Sequence, residues 1–310
     1  MKKIVKLKKQ ENITLQEHLE NFLIDCKVRG LSNDTIESYT SQINLFINFV
    51  GDSEINTECI NTYVLHMRQK GNADISIKTK LKFIKTFLKF CGYDENEIKF
   101  PLISVVRENK EPYSKEEIEL LLKKPTRNSY TAWRNHTIVC LLLSTGIRCR
   151  TLVNLKISDL DFTSNTILLR EIKTKKKYYI PMSSTLKQSI KHYLSLFEHD
   201  TDDYLFMSLY GDKLSRPSVK EAIREYNLKR GVPKTSIHLF RHTFAINYLR
   251  NGGNIMTLKE ILGHSNIATT QQYLKVTVDD LKQDFDDYCI LDNAKRKGIK
   301  LTNSKDKVGR

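Results

Sequence analysis

The second half of the chain carries a series of polar residues whose types suit chemistry at a phosphate. Arg148 follows a glycine turn, His238 and Arg241 stand three residues apart, and His264 and Tyr273 come later. Two guanidinium groups can bind the non-bridging oxygens of one phosphodiester, because their planar N–H donors match that geometry better than lysine does. Fixed positive charges also stabilise the charge that builds on the equatorial oxygens during phosphoryl transfer. This set of residues therefore predicts phosphoryl transfer.

Tyr273 is the residue of this set that can act as a nucleophile. A phenol with a pKa near 10 is mostly protonated at pH 7, so it needs a base or cationic neighbours to attack. We expect His238 to take that proton and His264 to donate a hydrogen bond to the phosphate. His238 and Arg241 share one helix face at their spacing and could meet the same phosphate. A tyrosine ester keeps the energy of the broken bond, so rejoining needs no ATP, and the sequence has no GxxxxGK-type phosphate loop.

Four short motifs surround these residues in a fixed order. They are Thr145-Gly146-Ile147-Arg148, His238-Leu239-Phe240-Arg241, Leu262-Gly263-His264, and Tyr273, nine residues after His264. With this order and spacing the chain resembles the tyrosine recombinases of the phage integrase family. The signatures of that family are TG-x-R, H-x-x-R, LGH and a tyrosine nine residues after the last histidine.

The resemblance implies a site-specific DNA recombinase that works through a 3′-phosphotyrosine intermediate. Its catalytic residues would be Arg148, Lys173, His238, Arg241, His264 and the nucleophile Tyr273. In the family a lysine of a β-hairpin protonates the leaving 5′-oxygen, and alignment of residues 173–181 selects Lys173. Lys175, Lys176 and Lys177 stand beside it, and we expect at least two of these four lysines to contact the DNA backbone.

One position departs from the pattern of the family. Members commonly carry an acidic residue three positions after the first arginine, where this chain has Thr151. That acid would orient Arg148. The departure suggests either a substitute partner, such as Asp159, or a more loosely held arginine.

Helical patterns fill the first hundred residues. Ser32, Asn33 and Asp34 offer oxygens that cap a helix start, and Gly51 ends the apolar run that follows. A later helix carries apolar residues on one side and a stripe of lysines on another. The stripe holds no acid to balance it, so it either contacts DNA phosphates or forms a solvated surface. Its members are Lys78, Lys82, Lys85 and Lys89.

Apolar periodicity predicts more helices in the second part, together with one region of β structure. An apolar helix is expected over 137–144. A capping box over 257–260 would start another helix, and Gly263 would end it. Two β-type segments, 166–170 and 178–181, flank a lysine-rich tip.

Breaks in these patterns divide the chain into domains. We expect a basic N-terminal extension (1–12), a helical core-binding domain (13–100), a linker (101–112), a catalytic domain (113–290) and a basic, mobile tail (291–310). The fold class is mainly α. The resemblance implies a helical, SAM-like core-binding domain and a mixed, mostly α catalytic domain with a small antiparallel sheet. It also suggests a compact Xer-like or transposon-type integrase without a separate arm-binding domain.

Composition limits the class of partner. Lys and Arg number 51 against 36 Asp and Glu, a formal net charge of +15. Residues 1–100 hold 15 against 13 and residues 101–310 hold 36 against 23, so the excess lies mainly in the second part. Such an excess favours a polyanion, because each docked cation releases a condensed counterion. The sequence has no signal peptide, membrane span, zinc motif or disulfide framework, and its six scattered cysteines suit a reducing cytosol.

We therefore expect a cytoplasmic protein of a bacterium, phage or mobile element, with no cofactor and no metal ion. Its partner would be double-stranded DNA with specific inverted-repeat core sites, joined in some reactions by an accessory directionality factor. The resemblance further implies a homotetramer on a Holliday junction, with a C-terminal helix exchanged in trans. Leu281, Phe285, Tyr288 and Ile290 mark that helix.

Two other functions use the same features. A type IB topoisomerase shares the arginine, lysine, histidine and tyrosine set but would relax DNA as a monomer with little sequence preference. A site-specific DNA-binding protein that no longer cleaves would lack a nucleophile or a phosphate-binding arginine. The sequence lacks neither.

Overall fold

The computed structural model describes residues 14–94, 96–105, 111–126, 129–170 and 177–274. The chain divides into two compact units, residues 1–109 and residues 110–310. The N-terminal extension, the hairpin tip that carries Lys173, Lys175 and Lys176, and the chain after Leu274 lie outside the described residues.

Four helices build the first unit, and their amphipathic faces enclose one core. Aromatic rings fill the middle of that core, where Phe22 packs edge-on against Tyr39 and Phe87. Gly51 ends the second helix with a φ of 54°, as the sequence predicts. Ile103 of the following segment is 6% exposed and also packs in this core. The helices are α1 (Leu15–Val28), α2 (Asn33–Val50), α3 (Thr57–Gln69) and α4 (Asp74–Phe90).

The described part of the second unit contains eight helices and one small sheet. Ser114 caps α5 through a capping box with Glu117. α6 and α10 pack together at the centre of this unit. The helices are α5 (Lys115–Leu122), α6 (Tyr130–Thr145), α7 (Cys149–Leu152), α8 (Ser184–Leu194), α9 (Arg216–Leu228), α10 (Ile237–Arg250), α11 (Ile255–Leu262) and α12 (Ala268–Gln271).

The sheet is antiparallel, with three strands in the order β1-β2-β3. β1 (Leu160–Asp161) pairs with β2 (Thr166–Arg170), which pairs with β3 (Lys177–Pro181) from Thr166 opposite Pro181 to Arg170 opposite Lys177. Ile167, Leu169 and Ile180 face the core. The two β-type segments predicted from the sequence are confirmed.

The start of one predicted helix and the cap of another are wrong. The helix expected over 137–144 begins earlier, at Tyr130, because Arg134 and His136 in its first turns are buried and bound to distant groups. Those polar residues interrupt the apolar pattern but not the helix. The start of α11 is capped by Asn254, whose side chain accepts from the backbone N–H groups of Met256 and Thr257. Thr257 therefore lies inside the helix, and the capping box assigned to it does not form.

The architecture is mainly α with one small antiparallel sheet, as the sequence predicts. Among the described residues, no helix is long and apolar enough to cross a membrane. The five cysteines in the same part of the chain are free.

Candidate active site

Two helices of the second unit end close together, and both end on a glycine in the left-handed region. α6 ends at Gly146, with a φ of 61°, and α11 ends at Gly263, with a φ of 63°. A Cβ at position 146 would lie 2.6 Å from a ring carbon of Phe244, so only glycine allows this close approach. The last carbonyls of a helix have no partner within it and carry partial negative charge. Two helix ends therefore offer acceptors for cations at one place.

Arg241 of α10 binds these carbonyls. Its Nη1 donates to the Gly146 carbonyl at 2.8 Å, and its Nη2 donates to the Leu262 carbonyl at 2.9 Å. The residue is 6% exposed. Burial lowers the pKa of Arg241, as does the nearby charge of Arg148, whereas Tyr273 raises it. The carbonyls thus compensate a buried guanidinium that would otherwise be costly.

Arg148 lies at the N-cap of α7, directly after the α6 glycine turn. Its Nη1 and Nη2 lie 3.5 and 3.4 Å from the Gly263 carbonyl oxygen. Because that carbonyl is next to Leu262, the end of α11 positions both arginines. The TG-x-R and LGH motifs therefore encode helix ends as well as reactive side chains.

Asp159, suggested from the sequence as a partner for Arg148, is bound to other groups. Its carboxylate lies 2.7 Å from Nη2 of Arg170 and accepts from the backbone N–H of Lys156 at 3.0 Å. Thr151 lies in α7, in the turn that follows Arg148. The Gly263 carbonyl is thus one group that can orient Arg148.

His264 lies between Arg241 and Thr270 and is 7% exposed. Its Nε2 is 2.6 Å from Nη2 of Arg241, and its Nδ1 is 2.8 Å from Oγ1 of Thr270. Burial lowers the pKa of His264 to about 4, and the charges of Arg241 and Arg148 contribute. The imidazole is therefore neutral near pH 7.

Tyr273 lies beside the same groups. Its ring stacks on that of His264, with centroids 6.4 Å apart, and contacts that of His242 at 5.4 Å. The charge of Tyr273 raises the pKa of Arg241. The backbone N–H of Tyr273 donates to the Thr270 carbonyl at 3.0 Å. The structure thus brings together Arg241, His264 and Tyr273, with Arg148 at the same helix end.

His238 lies in the first turn of α10 and is exposed, one turn before the buried Arg241. Lys173 lies outside the described residues, as do Lys175 and Lys176. Lys177 is exposed at the start of β3. Residues 170 and 177 form the last pair between β2 and β3, and residues 171–176 connect the two strands in sequence.

The lysine stripe lies on α4 in the first unit. All four members, Lys78, Lys82, Lys85 and Lys89, are exposed, beside a face that buries Ile77 and Ile84. Nζ of Lys78 also donates to the Ile103 carbonyl at 3.2 Å, and Nζ of Lys85 lies 6.0 Å from the centre of the Phe100 ring. The stripe thus forms one basic face of the first unit.

Sequence reasoning missed three residues at this site: His242, Thr270 and Tyr178. His242 follows Arg241 directly, and Thr270 falls one turn before Tyr273, so both were readable as neighbours of predicted residues. Tyr178 of β3 is among the groups whose charge raises the pKa of Arg241. No sequence signal pointed to Tyr178, because its position depends on how the sheet packs.

Among the described residues, no three His, Cys, Asp or Glu side chains lie close enough together to hold a metal ion.

Known proteins resemble this chain in both sequence and fold. The Phage integrase family matches residues 113–279, and the phage integrase N-terminal SAM-like domain matches residues 19–92. Tyrosine recombinase XerA of Thermococcus onnurineus is 30% identical over 274 residues, which cover 87% of this chain and 94% of the relative. The structure of the Tn1549 transposon integrase in complex with transposon right end DNA has a TM-score of 0.69 at 20% identity, covering 89% of this chain and 99% of that one. A lambda integrase tetramer bound to a Holliday junction gives a TM-score of 0.68 at 17% identity, covering 85% and 78%. The chain belongs to the phage integrase family and is an enzyme of the tyrosine recombinase type, which cleaves and rejoins DNA.

Proposed function

We propose that this chain is a site-specific recombinase that cuts and rejoins DNA through a covalent bond to Tyr273. The observation that carries the proposal is the meeting of Arg148, Arg241, His264 and Tyr273 at the ends of α6 and α11. Two fixed guanidiniums beside a phenol suit the in-line displacement at a phosphodiester.

Cleavage is then a single displacement at phosphorus. The Tyr273 oxygen forms a bond to the scissile phosphorus, and the bond from phosphorus to the 5′-oxygen breaks. His238 takes the phenol proton, and Lys173 gives a proton to the leaving 5′-oxygen. Arg148 and Arg241 bind the non-bridging oxygens as their charge increases.

Rejoining is the reverse of this step. A 5′-hydroxyl attacks the phosphotyrosine, its proton goes to Lys173, and the released Tyr273 regains a proton from His238. One phosphodiester is exchanged for another, so the reaction needs no external energy source. Exchange of partners between the two steps produces recombination.

The basic surfaces hold the duplex. We assign phosphate contacts to the stripe on α4 (Lys78, Lys82, Lys85 and Lys89) and to Lys177, and their charge and exposure support this role. Lys175 and Lys176 are assigned the same role. Such contacts give affinity without sequence preference. Base recognition within inverted-repeat core sites comes from other side chains in the grooves.

Assembly as a homotetramer on a Holliday junction follows from this function. An apolar groove of about 590 Å³ supports exchange of a C-terminal helix in trans, since it could receive the apolar face marked by Leu281 and Phe285. It is lined by Ile118, Leu122, Cys140, Leu143, Phe244 and Tyr248. We propose that the protein works in the cytoplasm, with an accessory directionality factor in some reactions. Its role would be integration and excision of a mobile element or resolution of DNA dimers.

A plasmid with two copies of the site tests the function against its alternatives. The site is first isolated from a random-sequence duplex pool by binding to the Tyr273→Phe protein. Wild type should then delete or invert the segment between two sites and leave a plasmid without sites unchanged. Relaxation of the plasmid without sites would instead support a topoisomerase. Binding without any strand cleavage would support a non-cleaving DNA-binding protein.

A further inference from the structure

Thr270 is a buried residue that joins two parts of the active site. Its side chain is fully buried, and its Oγ1 lies 2.8 Å from Nδ1 of His264. Its backbone carbonyl accepts from the N–H of Tyr273 at 3.0 Å. One residue thus holds both the histidine ring and the segment that carries the nucleophile.

The contacts of His264 determine which nitrogen carries its proton. A guanidinium has only donors, so Nε2, 2.6 Å from Arg241, must accept and bear no proton. The neutral imidazole then carries its proton on Nδ1, which donates to the Thr270 hydroxyl. In the DNA-free protein His264 therefore acts as an acceptor for Arg241.

That tautomer cannot donate to a phosphate through Nε2. Phosphate oxygens are acceptors, so donation from Nε2 requires a proton there and leaves Nδ1 bare. A buried, bare Nδ1 needs a donor, or it loses hydrogen-bond energy. A hydroxyl can accept from Nδ1–H in one state and, after rotation, donate to bare Nδ1 in the other. A methyl group in its place could do neither.

We propose that Thr270 is a positioning residue whose hydroxyl supports both tautomers of His264, so that the histidine changes from acceptor for Arg241 to donor for the scissile phosphate when DNA binds. Nδ1 gives a proton to water and Nε2 takes one from water, so the net charge of the ring is unchanged. This inference rests on the proposed function and adds a residue to its site.

The DNA-free tautomer is measured first, by ¹⁵N NMR of histidine-labelled protein, with the His264 signals assigned from their loss in His264→Asn. Wild type should show a protonated Nδ1 and a bare Nε2 at pH 7. A protonated Nε2 in the DNA-free protein would overturn the inference. In Thr270→Val the Nδ1–H preference should weaken, and Thr270→Ser should restore it.

Cleavage is measured next, with a nicked suicide duplex built on the selected site. Thr270→Val should slow covalent adduct formation by about 10-fold or more while DNA binding stays unchanged. Thr270→Ser should recover most of the rate, and Thr269→Val, at an exposed neighbouring threonine, should leave it unchanged. A wild-type rate in Thr270→Val would sink the inference and leave the proposed function intact. Loss of the wild-type adduct itself would instead refute the function.

Discussion

Arg241 in the second unit and the lysine stripe in the first unit hold positive charge in opposite ways. The Arg241 guanidinium is 6% exposed and binds two backbone carbonyls and a histidine. The four lysines are exposed along one helix. The comparison indicates that a cation beside the reactive tyrosine is buried and fixed by the fold, whereas the lysines that we propose to contact DNA lie at the surface.

The physical reason lies in what each group must do. Charge that is already in position stabilises a transition state without further reorganisation. The carbonyls at the ends of α6 and α11 hold the Arg241 guanidinium in position and offset the free-energy cost of its burial. A flexible lysine can follow any phosphate along a duplex and gains affinity through released counterions. Rigid placement would add little there.

The largest expected effect is the loss of cleavage when either active-site arginine is removed, and stability then distinguishes the two variants. Arg148→Ala and Arg241→Ala should each slow covalent adduct formation by roughly 10²–10³-fold, as loss of one preset donor typically does. Arg241→Ala should also lower the free energy of unfolding by about 2–4 kcal/mol, and by more than Arg148→Ala does. Arg241 donates to two carbonyls at 2.8 and 2.9 Å, whereas Arg148 lies 3.4 and 3.5 Å from one. Urea denaturation measures this difference. Equal stability of the two variants would contradict the account of how Arg241 is held.

The next effect tests the helix end itself. Gly146→Ala should lower the free energy of unfolding by about 2–4 kcal/mol, from left-handed strain and overlap with Phe244. Gly231→Ala, where φ is +75° and a Cβ meets nothing within 4 Å, should show the strain alone, about 1–2 kcal/mol. Urea midpoints compare the two variants. If both variants lose the same free energy of unfolding, the close approach of Phe244 to position 146 does not contribute to stability.

Changes in the lysine stripe should be milder and of another kind. Lys82→Ala should weaken DNA binding about equally on all sequences and reduce the slope of log affinity against log salt by roughly 0.9. Lys82→Arg keeps the charge and should keep the slope. Fluorescence anisotropy at several salt concentrations gives both values. An unchanged slope in Lys82→Ala would mean that the stripe is a solvated surface.

A further effect concerns pH. Burial lowers the pKa of His136 and of His264 from 6.5 to about 4, with added repulsion from Arg230 and Lys124 in one case and from Arg241 and Arg148 in the other. Between these values the unfolded chain binds more protons, so stability should be full above pH 6.5 and fall as the pH drops towards 4. His136→Gln should flatten this dependence of the urea midpoint, and His199→Gln, at an exposed position, should not. A dependence equally steep in His136→Gln would refute the assignment.

Local patterns predicted the parts of the molecule that local interactions determine. The lysine stripe, the two strand segments and the glycines that end α2 and α11 follow from periodicity and backbone conformation. The resemblance to a family named the reactive residues. What holds those residues could not be read from the chain, because Gly146, Arg241 and Leu262 meet only when α6, α10 and α11 pack. The start of α6 was missed for the same reason, since Arg134 and His136 bind groups far away in sequence.

The central claim is that Tyr273 forms the covalent bond to DNA. A nicked suicide duplex carrying the selected site traps the adduct, and mass spectrometry of its peptides locates the attached nucleotide. Tyr178 is the informative competitor, because its charge also raises the pKa of Arg241. We predict that the nucleotide is on Tyr273, that Tyr273→Phe binds the duplex without forming an adduct, and that Tyr178→Phe still forms one. A nucleotide on Tyr178, or an adduct that persists in Tyr273→Phe, would contradict the account.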